Sequence, residues 1–173
     1  MLEDFKKIKP KNISDNVFKL IGYEWMLITA GNKGKCNPMT ASWGSMGVLW
    51  NLPVAISFIR PQRYTNQIMK SSEFYTISFF EEEHRPILNF CGSKSGSNTD
   101  KIKETGLLPF ETESGAIAFE QSKMFFECRK LYADRLKPES FLIPELIEKN
   151  YSKDDFHCIY IGEILNCYVK IKK

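Results

Sequence analysis

Short runs of alternating apolar and polar residues recur along this chain. A period of two predicts β-strands, because successive side chains of a strand point to opposite faces. Four such runs lie in the first half of the chain, at 23–31, 37–44, 53–60 and 73–80. The last of them, EFYTISFF, is rich in the aromatic and β-branched residues that favour strands. The first half of the chain is therefore predicted to be mainly β.

The second half of the chain returns to the strand pattern. Residues 116–134 predict either two strands or one bent strand, and 156–173 form the longest alternating run. Apolar residues occupy most odd positions of that run, whereas Gly162 interrupts it and predicts a β-bulge. The polar N-terminal stretch, 1–16, is predicted to lie over the surface.

Helical patterns in this sequence are short and lie between the predicted strands. They cover 64–71, 81–91, 98–106 and 138–151. The second opens with acidic residues, which favour a helix N-terminus. The third has a capping residue in Asn98 and a stop at Gly106, and Pro144 interrupts the fourth.

Many strands joined by few, short helices predict a mainly β fold, an antiparallel β-barrel with short helices. Long helices do not alternate with the strands, so a doubly wound parallel sheet is not expected. The 173 residues contain no internal repeat and no linker that would split them. The sequence therefore predicts a single domain over 1–173.

Composition and charge narrow the possible functions. An apolar content of 43% indicates a globular chain, and a net charge of only +3 without a basic cluster disfavours nucleic acid and acidic membranes as partners. No apolar run is long enough to span a bilayer and no signal peptide is visible. Five cysteines without C-x-x-C spacing are expected to be free thiols in a cytoplasmic protein. They are Cys36, Cys91, Cys128, Cys158 and Cys167.

The first candidate site is the stretch FIRPQRYT, where a predicted strand gives way to a predicted helix. Pro61 turns the chain, Arg60 and Arg63 flank the turn, and Thr65 is a candidate helix N-cap. Free amides at a helix start and a forked guanidinium together form an anion site that suits a phosphate. The alternative is two surface arginines with Thr65 as a simple cap.

The second candidate site is the stretch NPMTASWG, predicted to be a strand. Thr40 and Ser42 share one face of it, beside Trp43, and their hydroxyl groups could hydrogen-bond a polar heteroaromatic ring. Gly44 and Gly47 would let a ligand approach the backbone closely. The alternative is an ordinary strand that ends in a glycine turn, with Trp43 in the core.

The third candidate site is the small-residue loop CGSKSGSNTDK. Ser95, Gly96 and Lys101 could close over a phosphate or a ring. The loop lacks the spacing of a P-loop, and the sequence contains no G-x-G-x-x-G motif. The alternative is a flexible surface loop.

Other site chemistry has little support in the sequence. The two histidines, His84 and His157, are far apart and lack metal-ligand spacing, so no metal site is predicted. No serine or cysteine catalytic triad can be assembled from the residue types present. His84 is expected at a solvated helix start, and His157 is a packed strand residue or lies near a ligand.

In their order along the chain, EWMLITAG, NPMTASWG, VLWNLPVAISFIRPQRYT, EFYTISFF and CGSKSGSNTDK resemble the flavin reductase-like, FMN-binding split-barrel family. The resemblance is strongest to its flavoredoxin-type branch. It implies a six-stranded antiparallel split barrel and a homodimer with FMN near the dimer interface. The residues assigned by this resemblance to the flavin site are Asn37, Met39, Thr40, Ala41, Ser42, Trp43, Arg60, Arg63, Tyr64, Thr65, Ser95, Gly96 and Lys101.

The resemblance also implies roles within that set. Thr40, Ser42 and the nearby backbone would face the isoalloxazine ring. Arg63 and Thr65 would hold the phosphate, with help from Lys101 and Arg60. The remaining aromatic residues of the set, Tyr64 and Trp43, would wall the pocket.

Two functions share this pocket. In the first, an FMN-dependent oxidoreductase takes a hydride from NADH or NADPH and passes it to free flavin or another acceptor, with His157 seating the nicotinamide. In the second, an electron carrier keeps its FMN bound and serves redox protein partners. A non-flavin barrel that binds nucleic acid is a third hypothesis, disfavoured by the low net charge. The sequence does not distinguish NADH from NADPH, or strictly exclude FAD.

Overall fold

Ten strands and four α-helices make up the computed structural model, which describes residues 2–171. The strands are β1 (Phe5–Ile8), β2 (Met26–Asn32), β3 (Lys35–Ala41), β4 (Gly44–Leu49), β5 (Leu52–Ile59), β6 (Phe74–Phe79), β7 (Pro109–Glu111), β8 (Ile117–Phe119), β9 (Met124–Arg135) and β10 (Cys158–Lys170). The helices are α1 (Tyr64–Ser71), α2 (Arg85–Ser93), α3 (Lys101–Thr105) and α4 (Glu145–Asn150). Short 3₁₀ turns occur at Leu2–Asp4, Pro10–Asn12, Glu82–His84 and Pro138–Ser140, and a π-helix at Lys19–Glu24.

The main sheet has the strand order β3-β2-β6-β9-β10-β5-β4, and each of these pairs is antiparallel. The two end strands follow each other in the chain, separated only by Ser42 and Trp43. One bent strand thus joins the two ends of the sheet and closes it. Counted with β3 and β4 as one strand, the barrel has six strands, which confirms the predicted antiparallel split barrel.

β2 is buried on both of its faces. Ile28 points into the barrel, where it belongs to the same cluster as Phe126, whereas its neighbour Leu27 belongs to an outer cluster with Leu88 of α2 and Phe119 of β8. Full burial of one such side chain contributes about 1.5–3 kcal/mol. These two apolar layers hold α2 against the barrel beside the bend between β3 and β4.

The start of β2 differs from the sequence prediction. Residues 23–25 were expected to be strand, but Tyr23 and Glu24 end the π-helix and Trp25 has a φ of 72°. The guanidinium of Arg85 donates hydrogen bonds to the backbone oxygens of Tyr23 (2.8 Å) and Glu24 (3.2 Å) and lies 4.3 Å from the Trp25 ring centroid. A partner so distant in the chain stabilises a conformation that the local pattern does not indicate.

The N-terminal stretch was predicted to lie over the surface, but part of it also belongs to the main sheet. β1 pairs antiparallel with the C-terminal end of β10, from Phe5 opposite Lys170 to Ile8 opposite Cys167. Phe5 is buried and packs edge-on against Phe125 at a centroid distance of 5.1 Å. Burial of this aromatic ring, together with the pairing to β10, docks the short polar strand on the sheet.

Two uncertain β predictions are resolved. The region 116–134 forms two strands, β8 and β9, rather than one bent strand. The register of β10 against β9 shifts between Ile161 and Gly162, which confirms the predicted bulge. A Cβ atom at Gly162 would lie 2.3 Å from the hydroxyl oxygen of Tyr75, so the barrel interior leaves no room for a side chain there.

The helices lie where they were predicted, but their ends differ in detail. α1 has the predicted bounds, although its N-cap is Arg63 and not Thr65. α3 is capped by Asp100 and not Asn98, since the Asp100 carboxylate accepts from the Lys103 amide at 3.1 Å. Pro144 stands at the N-cap of α4 and confines the fourth helix to its second half. No helix within residues 2–171 is long and apolar enough to cross a membrane.

Candidate functional site

A cavity of about 370 Å³ lies where β3 bends into β4, next to the end of β5 and the turn before α1. Its lining brings together the first two candidate stretches and the chain before β10. The lining residues are Met39, Thr40, Ala41, Ser42, Trp43, Phe58, Arg60, Gln62, Arg63 and His157. Two larger cavities, of about 600 and 940 Å³, contain none of the residues assigned to the flavin site, although Gly47, named with the second candidate stretch, lines the first of them.

The bend between β3 and β4 forms one wall of this cavity. Trp43 is 46% exposed at the bend, so it is not the core residue of the alternative interpretation. The Thr40 hydroxyl donates to the backbone oxygen of Leu88 at 2.6 Å and ties the bend to α2. Thr40 therefore has its proton engaged, and of the two predicted hydroxyl groups only that of Ser42 remains as a donor toward a ring.

Arg63 lies at the N-cap of α1, where the first amides of a helix have no intrahelical acceptor. Its guanidinium donates to the backbone oxygen of Gly92 at 2.7 Å, and burial lowers its pKa. Thr65, in the first helical turn, is fully buried and accepts from the side-chain amide of Asn37 at 2.6 Å. Because the Thr65 oxygen accepts that bond, its own proton is left for another acceptor.

Arg60, unlike Arg63, is paired with a carboxylate of the same chain. It forms an ion pair with Asp155, donates to the backbone oxygen of Asn150 at 2.9 Å, and lies 5.3 Å from the Tyr151 ring centroid. Gln62 donates to the same carboxylate at 2.7 Å. Arg60 therefore anchors the segment before β10, and we leave it out of the phosphate site, contrary to the prediction from sequence.

The third stretch lies behind β3 and does not line the cavity. Lys101 is only 3% exposed, and its ammonium donates to the backbone oxygens of Pro38 (3.0 Å) and Cys91 (2.8 Å). Burial, together with the nearby charge of Arg63, lowers its pKa to about 8. Within residues 2–171 neither cation has a carboxylate partner.

The loop between α2 and α3 approaches β3 through Gly96. A Cβ atom there would lie 1.7 Å from the side-chain oxygen of Asn37, so only glycine fits. Asn37 thus connects this loop to Thr65 of α1 and does not line the cavity. Ser95 is exposed, and its hydroxyl contacts that of Ser97 at 2.8 Å.

Tyr64 does not wall this cavity, contrary to the prediction. Its ring lies 5.8 Å from the Lys35 ammonium and lines a separate cavity of about 230 Å³. Tyr64 is at the first position of α1, and the helix turns it away from the β3–β4 bend.

His157 is buried in the cavity wall. Its Nδ1 lies 2.9 Å from the Tyr151 hydroxyl, and its ring centroid is 5.1 Å from that of Trp43 and 6.5 Å from that of Phe58. Burial, with the charge of Arg60, lowers the His157 pKa to about 4. The imidazole is therefore neutral at pH 7.

Four residues of this site were not predicted from the sequence. Phe58 and Gln62 are part of FIRPQRYT. Phe58 is two residues before Arg60, so the strand alternation could have placed Phe58 and Arg60 together on the cavity side. Tyr151 and Asp155 lie in a segment without clear periodicity, and no sequence signal points to them. Within the part of the chain described, no three His, Cys, Asp or Glu residues are grouped to hold a metal ion.

The comparisons with known proteins agree with this architecture. A family model described as "Flavin reductase like domain" matches residues 18–172. A search of curated protein sequences found no match.

Solved structures share the fold along most of the chain. Flavoredoxin from Methanosarcina acetivorans is 24% identical, with a TM-score of 0.66 over 95% of this chain and 76% of that one. An FMN-binding domain of a flavin reductases-like enzyme from Shewanella baltica OS155 is 14% identical, with a TM-score of 0.69 over 96% and 77%. The NADH:FAD oxidoreductase SgcE6 from Streptomyces globisporus C-1027 is 16% identical, with a TM-score of 0.61 over 83% and 74%.

Proposed function

Because this chain belongs to the flavin reductase like family, we propose that it is an FMN-binding oxidoreductase. In this proposal a hydride passes from NADH or NADPH, through FMN held at the 370 Å³ cavity, to free flavin or another acceptor. The family match and the two cations beside the cavity support the proposal together.

The observation that carries the FMN assignment is the pair Arg63 and Lys101. The two cations donate to consecutive backbone oxygens of α2, Arg63 to Gly92 and Lys101 to Cys91, and within residues 2–171 neither is neutralised by a carboxylate. Holding like charges together beneath a protein surface is unfavourable without an anion. A dianionic phosphate next to the start of α1 would relieve this repulsion.

The residues of the site divide the work of holding such a cofactor. Arg63 and the first amides of α1 would bind the phosphate, aided by the Thr65 hydroxyl, which is buried and outside the cavity lining, and the bend 41–43 would hold the ring. Bound FMN would supply the hydride-accepting chemistry, which the side chains themselves lack. The neutral imidazole of His157 would contact the nicotinamide.

An electron carrier is the second candidate function. Trp43 is half exposed at the edge of the cavity, so a protein partner could approach a bound flavin there. The fold is shared with a flavoredoxin, which supports this candidate. The sequence resemblance to the flavoredoxin-type branch points the same way. The oxidoreductase and the electron carrier require the same pocket, so only reduction kinetics can distinguish the two functions.

Absorbance of the purified protein tests the proposal first. We expect a yellow protein that releases FMN on heating and whose flavin absorbance bleaches on anaerobic mixing with NADH or NADPH. Reduction by a reduced ferredoxin but by neither nicotinamide would favour the carrier. A colourless protein that does not bind added FMN would contradict both functions.

We also propose that the protein is a homodimer with the cofactor near the interface. β4 is the end strand of the sheet beside the cavity. Two apolar side chains are exposed there, Val48 in the strand (78%) and Trp50 directly after it (58%). A second copy covering this edge would bury both side chains. A monomeric mass in light scattering of the flavin-loaded protein would contradict the dimer.

The affinity for FMN should fall as the pH rises through 8. Lys101 is largely cationic at pH 7 and loses its proton around its pKa of about 8, so its attraction to the phosphate disappears above that pH. The phosphate itself is already dianionic there, since its second pKa is about 6. We expect the dissociation constant at pH 9 to be about 3- to 10-fold higher than at pH 7.

Fluorescence titrations of FMN at pH 7, 8 and 9 measure this effect. Lys101→Met should bind FMN more weakly and show a nearly flat pH profile. Lys103→Met, at an exposed position of the same helix, is the matched control and should keep the wild-type profile. An unchanged slope in Lys101→Met would remove Lys101 from the phosphate site.

A further inference from the structure

We propose that Tyr151 is a positioning residue for His157. Its hydroxyl donates a hydrogen bond to Nδ1 and so fixes the imidazole as the tautomer that presents an Nε2–H donor to the cavity. The donor would bind a carbonyl or carboxamide oxygen of a planar ligand. The ligand part of this inference rests on the function proposed above, whereas the tautomer does not.

The direction of the hydrogen bond follows from the surroundings of the Tyr151 hydroxyl. Oxygen and Nδ1 are 2.9 Å apart, and both residues are buried. For residues 2–171, Nδ1 of His157 is the one acceptor within hydrogen-bond distance of this hydroxyl. If Nδ1 instead donated to the oxygen, the phenol proton would be buried without an acceptor, which is unfavourable. The phenol therefore donates, and Nε2 carries the ring proton.

Tyr151 is itself held in place by several contacts to its ring. It stacks on Phe156 at a centroid distance of 4.6 Å and an angle of 18°, and Phe141 meets it edge-on at 5.8 Å. The guanidinium of Arg60 lies 5.3 Å from its centroid and is fixed in turn by Asp155. The hydroxyl is therefore directed at His157 before any ligand arrives, and little conformational freedom is lost on binding.

The surroundings of His157 indicate the class of ligand. Trp43 and Phe58 flank the imidazole, and flat aromatic walls suit a planar ring. The imidazole is neutral, and the charge of Arg60 is already balanced by Asp155, so this end of the cavity does not select an anion. A neutral donor between aromatic walls suits a ring that bears a carboxamide, such as the nicotinamide of the proposed hydride donor.

The tautomer can be observed directly, because the chain has only two histidines. We expect long-range ¹H–¹⁵N spectra of the ¹⁵N-labelled holoprotein at pH 7 to show His157 protonated at Nε2, with Nδ1 as a hydrogen-bonded acceptor. His84→Gln assigns the signals by removing the other set. In Tyr151→Phe the Nδ1 resonance should move to the position of an acceptor without a hydrogen bond. His157 protonated at Nδ1 in the wild type would overturn the proposal.

Ligand binding tests the positioning role. In anaerobic stopped-flow experiments, Tyr151→Phe should raise the dissociation constant for NADH about fivefold. The limiting rate of flavin reduction should change much less, because the lost contact is a binding contact. Tyr132→Phe is the matched control: it removes a surface hydroxyl bonded to Asp134, and should change neither the Nδ1 resonance nor the binding.

The outcomes separate this inference from the proposed function. An unchanged Nδ1 resonance in Tyr151→Phe would overturn the positioning role, whatever the flavin does. Failure of the wild type to be reduced by NADH would overturn the proposed oxidoreductase and the nicotinamide-type ligand, while the spectra still decide the tautomer. Equal dissociation constants for wild type and Tyr151→Phe would overturn the role of the donor in binding.

Discussion

Arg63→Ala should raise the dissociation constant for FMN by about 10- to 150-fold, the equivalent of about 1.5–3 kcal/mol for a lost charge-assisted hydrogen bond. Arg63 stands at the N-cap of α1, lines the cavity and has no carboxylate partner within residues 2–171. Its guanidinium is therefore the charge that a phosphate at the helix start would meet first. Fluorescence titration of FMN measures the change.

Arg60→Ala is the matched control for this prediction. Arg60 is three residues earlier and lines the same cavity, but its charge is already paired with Asp155. We expect its FMN dissociation constant to change by less than about threefold. Lys101→Met should weaken binding less than Arg63→Ala, because the ammonium lies behind β3 and outside the cavity lining. Equal losses in the two arginine variants would refute the assignment of the phosphate to Arg63.

Gly162→Ala should lower the free energy of unfolding by about 1–3 kcal/mol, as expected for an extra methyl group in a packed core. The new Cβ would lie 2.3 Å from the hydroxyl oxygen of Tyr75 and 2.8–2.9 Å from its ring carbons. Tyr75 is completely buried and cannot move aside without disturbing its neighbours. For a chain of this size the melting temperature should fall by about 2–12 °C.

Gly47→Ala controls for the general effect of removing a glycine from a strand. Nothing lies within 4 Å of a Cβ atom built at Gly47, so its stability should change by less than about 0.5 kcal/mol. Adding Tyr75→Phe to Gly162→Ala removes the closest contact but leaves the ring, and should restore part of the loss. Chemical denaturation measures the free energy of unfolding of the wild type and of these three variants. Equal stability of the two alanine variants would mean that the bulge accommodates a side chain freely.

Most of the barrel could be predicted from the sequence because alternation is a local property. Apolar and polar residues alternate every two positions in 53–60 and 73–80, so both stretches predict their strands closely, even though β6 is buried on both faces. The errors fall where distant partners decide. Arg85 holds residues 23–25 out of the strand, and burial of Phe5 recruits a polar N-terminal segment into the sheet.

The candidate site divides in the same way. Arg63 is predictable because a strand, a proline turn and a helix start follow one another within FIRPQRYT. The different use of Arg60 is not, because Asp155 reaches it from the segment before the last strand. Lys101 was assigned to the phosphate by resemblance, but its burial behind β3 depends on how α2 and α3 pack.

The amino-acid sequence by itself determined the barrel class, the position of α1 and an arginine at its start, since periodicity and turn chemistry act over a few residues. Only the tertiary structure decided which cations stay without a carboxylate, which glycines touch a neighbouring side chain, and that Tyr151 meets His157. Those features depend on chain segments brought together by burial of the apolar layers. Charge pairing and hydrogen bonding act through space, at a few ångströms, whatever the separation along the chain.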